Sequence, residues 1–415
     1  MTGGATKKVA VTGVGLVTAL GADVASCWAA AVAGRSGVRV IERFPTDQLP
    51  VRIAACVETF DGGISLDQDR TLAMARRALR EALAQSGQTG RDRSSARLFV
   101  AAPQPEVDWR ARWLAQDGER LIGADTPDSV LEQLSASADG AYVANVLTRD
   151  LGFGPPPLTV TTACASGASA IQLAADEIRS GRLETAVVVA ADSTVSVEGL
   201  LRFALLSALS TRQGAPERAS RPFSADRDGF VMGEGAAALV LESPARAAQR
   251  GAAALAMLVG CGDATDTYHR TRSHPSGDAI VASMAGALRD AGMSPDAVDH
   301  INAHGTGTVE NDKMEALAIG RLFGARGATI PVTANKSLIG HTLSAAGAVE
   351  AVFSILSLMH GRLPPTLNYD HPDPDIPLDV VAGASRTADL RLVLSNAFGF
   401  GGQNVTLAFQ RSDVA

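Results

Sequence analysis

The 415-residue sequence has only four cysteines, Cys27, Cys56, Cys164 and Cys261, and none falls in a CxxC or other metal-ligand spacing. Thiols so scattered exclude a disulfide framework and suit a reducing compartment. No apolar run reads as long enough to span a bilayer, and no signal-peptide core follows the short polar stretch Met1 to Lys8. There is no excess of positive charge either. Lys and Arg number 37 against 44 Asp and Glu, a formal net charge of −7. Nothing global therefore invites nucleic acid or anionic lipid, although local basic patches stay open. No low-complexity linker separates independent domains. What remains, with 46% hydrophobic and 20% charged residues, is the composition of a globular chain with material for a large core. The expectation is a soluble, cytoplasmic protein.

Strand and helix patterns alternate along the chain. Lys8 to Leu16 reads as a buried strand running into a glycine turn at Gly13 and Gly15. A GxG after a strand also opens dinucleotide-binding folds, but Thr18-Ala19-Leu20-Gly21 does not complete that fingerprint. A tight turn needing glycine is the stronger reading. Helices are expected at Asp23 to Ala33 and Leu66 to Ala84. On the second, Arg76 and Arg80 share a face with Arg77 adjoining. Such a face is either solvated or suited to an acidic partner. After a strand at Arg97 to Ala102, an irregular segment from Pro103 to Thr126 holds Trp109 and Trp113. It is expected to pack on a pocket or a second subunit, because exposed tryptophan is costly.

Further strands are expected at Leu158 to Val160, Ala186 to Ala191 and Gly235 to Leu241, with a helix at Ala170 to Ile178 capped near Gly181. Past Gly251 the pattern restarts. Strands at Ala254 to Gly260, up to His304, up to Lys336 and at Leu392 to Ser395 (the last) alternate with helices at Asp278 to Ala291, Lys313 to Phe323 and Ala345 to His360. The order β-α-β-α-β thus occurs twice, in halves 1–252 and 253–415. This implies a layered α/β protein whose halves meet at a shared site.

Candidate chemistry sits at the strand ends. Cys164 lies in Val160-Thr161-Thr162-Ala163-Cys164-Ala165-Ser166-Gly167, where a strand meets a helix N-terminus. The positive end of the helix dipole there favours a thiolate, and the free N–H groups can hold an oxyanion. A buried structural cysteine is the other reading. Two histidine motifs decide between them. His304-Gly305-Thr306-Gly307-Thr308 reads as an exposed loop rich in donors, and Asn335-Lys336-Ser337-Leu338-Ile339-Gly340-His341 repeats the setting. A cysteine, a lysine and two histidines at strand ends can converge on one crevice. A Cys–His–His set can also hold zinc, but no pair has HExxH spacing, and no metal is expected.

These three stretches, in this order, resemble the signatures of the β-ketoacyl synthases, as does Asn396-Ala397-Phe398-Gly399-Phe400-Gly401-Gly402-Gln403-Asn404. The resemblance covers essentially the whole chain. It implies the thiolase fold, a duplicated five-layer αβαβα core, and decarboxylative condensation of malonyl-carrier protein with an acyl chain on Cys164. By the family's pattern, His304 and His341 would hold the malonyl thioester carbonyl, and Lys336 and Glu350 would pair beside them. Phe400 would gate the site and share the oxyanion hole with Cys164, within the Phe398-Gly399-Phe400-Gly401 turn. Thr306 and Thr308 would contact the pantetheine amides. No cofactor is implied beyond the carrier's phosphopantetheine. The partners implied are an acyl carrier protein and either an identical chain or a chain-length-factor-like subunit.

Thr308-Val309-Glu310-Asn311-Asp312-Lys313-Met314-Glu315 resembles the stand-alone elongating type rather than modular polyketide domains. Two stretches depart from the family. Pro103-Gln104-Pro105-Glu106-Val107-Asp108-Trp109 replaces its glycine-rich turn, and Ala141-Tyr142-Val143-Ala144-Asn145 its usual N-M-x-x-G. Both line the acyl pocket and dimer contact in the family, which favours a specialised polyketide or polyene pathway over housekeeping fatty-acid synthesis. Ser207 stands where a basic docking residue often lies, leaving carrier docking to others such as Arg76, Arg77 and Arg202.

Overall fold

The computed structural model describes residues 8–58, 67–103 and 139–413. Trp109, Trp113 and most of the irregular segment around them lie outside the described residues. In chain order the strands are β1 (Val9–Thr18), β2 (Arg39–Val40), β3 (Ile53–Ala54), β4 (Arg97–Ala101), β5 (Leu158–Val160), β6 (Thr185–Asp192), β7 (Gly235–Glu242) and β8 (Ala256–Thr265). They continue as β9 (His300–Asn302), β10 (Pro331–Thr333), β11 (Arg362–Leu363), β12 (Asp379–Val380), β13 (Arg386–Thr387), β14 (Leu392–Phe398) and β15 (Gln403–Arg411). Eleven form one mixed sheet in the order β12-β10-β9-β14-β15-β8-β1-β7-β6-β4-β5. The pairs β2–β3 and β11–β13 are separate antiparallel ribbons.

One connectivity occurs twice in that order. β1–β7 and β7–β6 are antiparallel, then β6–β4 and β4–β5 are parallel. β8–β15 and β15–β14 are antiparallel, then β14–β9 and β9–β10 are parallel. The two sets join where β1 runs antiparallel to β8, with Val9 opposite Leu258.

Alternation along the strands builds the layers, because successive side chains leave a strand on opposite faces. Ala186, Val188 and Ala190 of β6 face the central core, while Val187, Val189 and Ala191 face an outer core beneath the helix Asp67–Ser86. In the second set, Val393 and Ala397 of β14 turn to the same central core. Leu392 and Leu394 turn to another outer core, beneath the helices Asp278–Ala291 and Val309–Phe323. The helices Ser166–Arg179 and Ala346–His360 fill the middle. Helix, one set of strands, helix pair, the other set of strands and helix make the five layers expected.

The two central helices touch through backbone. A Cβ on Gly167 would stand 2.6 Å from Ala348 N, and one on Gly347 2.7 Å from Ala168 N. Only glycine permits that approach.

Several elements differ from expectation. The strand at Lys8 does not end in a glycine turn, since β1 runs through Gly13 and Gly15 to Thr18. Those glycines instead admit the helix Asp67–Ser86. A Cβ would lie 2.3 Å from Ala82 O at Gly13 and 1.9 Å from Ala78 O at Gly15. Leu392–Ser395 is not the last strand; β15 follows and pairs with β14 and β8 in mid-sheet. The helices Tyr142–Leu151 and Val197–Leu205 were not foreseen. One stretch, Leu343–His360, is long and apolar enough to cross a membrane by length and composition, contrary to the reading above. It is 89% buried at the centre of the molecule, so its apolar character serves the core.

The glycine contact is testable. Gly347→Ala should cost about 1–3 kcal/mol through overpacking, read as a lower urea midpoint. Gly320→Ala, on a helix with nothing within 4 Å of the added carbon, should leave the midpoint unchanged or raise it.

Candidate active site

Cys164 is presented by a strained turn. Between β5 and the helix Ser166–Arg179, Ala163 takes φ 49°, the left-handed region a side chain avoids. Ser166 holds the turn: its Oγ accepts from Thr162 N at 2.8 Å and donates to Ala163 O at 2.6 Å. Gly399 packs against it, where a Cβ would lie 2.7 Å from Thr162 O. The next residue, Phe400, points its backbone N–H at the Cys164 sulfur. Phe400 is 36% exposed, so one residue joins the thiol to the surface.

The helix begins two residues beyond the cysteine, and burial outweighs its dipole. The thiol is pushed up to about 11, although the Lys336 ammonium and the Phe400 N–H both favour the thiolate. Contrary to the sequence-based expectation, Cys164 rests as a thiol near neutral pH. Cys164 also packs against an apolar cluster that includes Leu200, Phe230 and Leu343.

The two histidines are buried, not exposed as expected, and their rings stand 5.4 Å apart at 83°. Their motifs lie in the interior because β9 and β10, which lead into them, are inner strands; the second passes through the short helix Lys336–Ile339. The Lys336 ammonium is buried too. It donates to His304 O at 2.6 Å and to Glu350 Oε1 at 2.5 Å, and lies 3.3 Å from His304 Nδ1. Burial pushes Glu350 up, to about 7, against the pull of that ammonium. His341 Nδ1 accepts from Leu343 N at 3.3 Å.

Both imidazoles are held well below their ordinary range, first by burial and then by the nearby ammonium. Each is therefore neutral. Each has Nδ1 facing a donor, which leaves the ring proton on Nε2. Two Nε2–H donors near a cysteine thiol are suited to an oxygen that gains negative charge.

Two carboxylates of the Thr308–Glu315 motif, given no role at the site by the sequence reading, fix this loop. Glu315 accepts from His304 N and Gly305 N, both at 2.9 Å, and from Asn396 Nδ2 at 3.0 Å. Asp312 accepts from Phe223 N at 2.7 Å and Gly307 N at 3.2 Å. The signal was their spacing, three apart on the helix that Thr308 caps. Thr306 and Thr308 join through their hydroxyls at 2.9 Å, and the Phe398 ring lies 5.5 Å from that of His304, tilted by 55°. Gly401 N donates to Arg270 O at 2.7 Å, tying the Phe400 turn to the loop after β8.

Arg76 and Arg77 lie on the outer helix Asp67–Ser86, away from this cluster. Arg76 pairs with Asp150, and Arg77 donates to Ala22 O at 3.0 Å. Arg202 pairs with Glu198 at 3.3 Å on the helix that sets Leu200 beside Cys164.

Comparison with known proteins agrees with this geometry. Residues 6–247 match the family model "Beta-ketoacyl synthase, N-terminal domain", and residues 255–370 match "Beta-ketoacyl synthase, C-terminal domain". The chain is 36% identical to the 3-oxoacyl-[acyl-carrier-protein] synthase 2 of Coxiella burnetii, over 98% of this chain and 99% of that one. Against the enzyme of the same name from Vibrio cholerae it is 34% identical, with 98% and 99% covered.

Among solved structures, it superposes with TM-score 0.89 and 30% identity on a type II polyketide ketosynthase in complex with its acyl-carrier protein, covering 98% of this chain and 100% of that one. The ishigamide ketosynthase/chain length factor gives TM-score 0.86 and 34% identity, covering 98% and 99%. The chain belongs to the β-ketoacyl synthase family and is accordingly an acyltransferase with the thiolase fold.

The thiol's position predicts its reactivity. Because its pKa is raised, the thiolate fraction should grow about tenfold per pH unit between pH 7 and 10. Iodoacetamide alkylation of Cys164, followed by peptide mass, should rise accordingly and level only near pH 11. Lys336→Ala, which removes a charge favouring the thiolate, should move the curve to higher pH.

Proposed function

We propose that this chain is a stand-alone elongating β-ketoacyl-carrier-protein synthase of a specialised polyketide pathway. The observation that carries condensation is the neutral histidine pair, 5.4 Å ring to ring, whose Lys336 neighbour bonds His304 and also acts on the thiol that meets the Phe400 N–H. Cys164 attacks the thioester of an acyl carrier protein, and its C–S bond forms as the pantetheine C–S bond breaks. The thiol proton passes to the departing pantetheine sulfur, so a raised Cys164 pKa costs little overall.

Malonyl-carrier protein then binds with its thioester oxygen at His304 and His341. The bond to its carboxylate breaks, carbon dioxide leaves, and the electron pair enters an enolate held by the two Nε2–H groups. The enolate carbon attacks the acyl carbonyl on Cys164. The N–H groups of Cys164 and Phe400 hold the resulting oxyanion, and collapse expels the cysteine sulfur as a thiolate, which takes a proton from water to become the resting thiol. The product is a β-ketoacyl chain two carbons longer. Lys336 and Glu350 orient His304, Thr306 and Thr308 guide the pantetheine arm, and no further cofactor is required.

The polyketide assignment is supported by the departures at Pro103 and Ala141 and by the polyketide relatives among solved structures. Elongation in fatty-acid synthesis is the second reading, favoured by the names of the curated relatives. A partner subunit, identical or of chain-length-factor type, suits the edge strand β5 with its exposed Leu158. We place the enzyme in the cytoplasm, where its four cysteines stay free.

Carrier docking falls to arginines near the mouth. Arg202 remains a candidate, whereas Arg76 and Arg77 lie on the outer helix. Arg270 and Arg272, exposed on the loop bonded to Gly401, have no carboxylate partner among the described residues.

Intact-mass analysis with a panel of acyl-carrier proteins, then malonyl-carrier protein, tests the whole scheme. Acyl adducts on Cys164 should form and then vanish with carbon dioxide release, and Cys164→Ala should form none. His304→Ala should slow decarboxylation about 100-fold or more. Adducts that move unchanged to another acceptor would leave acyl transfer without condensation, and the best acyl donor identifies the pathway. Arg270→Ala with Arg272→Ala should raise KM for carrier-bound substrate severalfold and leave kcat and reaction with a carrier-free thioester unchanged.

A further inference from the structure

Asp192, the last residue of β6, is 1% exposed and has no part in the scheme above. One carboxylate oxygen accepts from Thr194 N at 2.9 Å. The other accepts from Ser344 N at 3.0 Å, across 152 residues of chain. Ser344 lies in the single 3-10 turn Leu343–Ala345, which begins two residues beyond His341. Within it, Leu343 has φ 46°, the left-handed region unfavourable to a branched side chain. In the same turn, Leu343 N–H donates to His341 Nδ1 at 3.3 Å. The chain entering the turn is anchored by His341 N to Val231 O at 2.7 Å and by Gly233 N to His341 O at 2.9 Å. At the far end the anchor is Asp192.

We infer that Asp192 is a positioning residue for His341: its carboxylate clamps Ser344, holds Leu343 in its strained conformation and so keeps the imidazole proton on Nε2. The inference rests on the role given to His341 above. Without the clamp, Leu343 relaxes toward ordinary backbone angles and its N–H leaves Nδ1. A neutral imidazole then exchanges tautomers, and in the wrong one a lone pair faces the developing enolate. Asp192 meets no reacting atom, so it is not a catalytic residue. Its charge in fact disfavours the Cys164 thiolate, so its removal should not hinder acyl loading.

The test separates two partial reactions on the full chain. Asp192→Asn and Asp192→Ala are compared with the parent for acyl loading of Cys164, by intact mass, and for carbon dioxide release from malonyl-carrier protein. Thermal melting identifies which variant folds, and that variant is combined with His341→Ala. The expected result is decarboxylation slowed about 10- to 100-fold with loading within threefold. In the His341→Ala background the Asp192 change should add less than a factor of two, because both act through one ring.

Undiminished decarboxylation, a loss that multiplies in the double variant, or an equal fall in both partial reactions would overturn the inference alone. Decarboxylation undiminished by His341→Ala itself would overturn the role given to His341, and this inference with it.

Discussion

The buried ammonium of Lys336 is the constraint on which the site depends. With 1% of its side chain exposed, it gives up hydration that only strong partners replace. Glu350 supplies a charge and His304 a carbonyl oxygen, and the helix that bears Glu350 is the same one that packs by glycine contact on the Cys164 helix. One cation thus ties the two central helices to the histidine loop. Its field reaches all three reactive groups, favouring neutral imidazoles and opposing the protonation that burial imposes on the thiol. Geometry and electrostatics here have one source.

Around that centre the duplicated sheet acts as a frame. β9 and β10 deliver the histidine and lysine motifs from one half, and β5 delivers the cysteine from the other. Because the halves join along β1 and β8, with central helices between the layers, these strand ends point into shared space. Glu315, Asp312 and Asp192 then remove the freedom that loops between strands and helices would otherwise keep. Each accepts backbone N–H groups, so each fixes chain direction as well as side-chain position.

Much of this was legible in the amino-acid order, for identifiable reasons. The helix Asp278–Ala291 falls where its apolar spacing puts it, and the strand-to-helix passage at Cys164 follows from small residues between two periodic patterns. The convergence of Cys164, His304, Lys336 and His341 followed from three motifs in a fixed order. What failed depended on contacts between distant segments. Gly13 and Gly15 looked like a turn because a local reading cannot see a helix some seventy residues away pressing on the strand. β15 was overlooked although Val405, Leu407 and Phe409 alternate along it, since a glycine-rich turn precedes it and polar residues begin it. The thiolate expectation failed in the same way. A helix terminus is visible locally, whereas desolvation is a property of everything that surrounds the sulfur.

The turn from Phe398 to Gly402 has a consequence for timing. The backbone amide that meets the cysteine sulfur and the ring that stands at the surface belong to one residue, on one hairpin tied to the loop after β8. A displacement of that hairpin would carry the ring and the amide together, at the same moment. Exposure at the surface and contact with the sulfur are thus coupled through the backbone of one residue, and whatever alters the first alters the second.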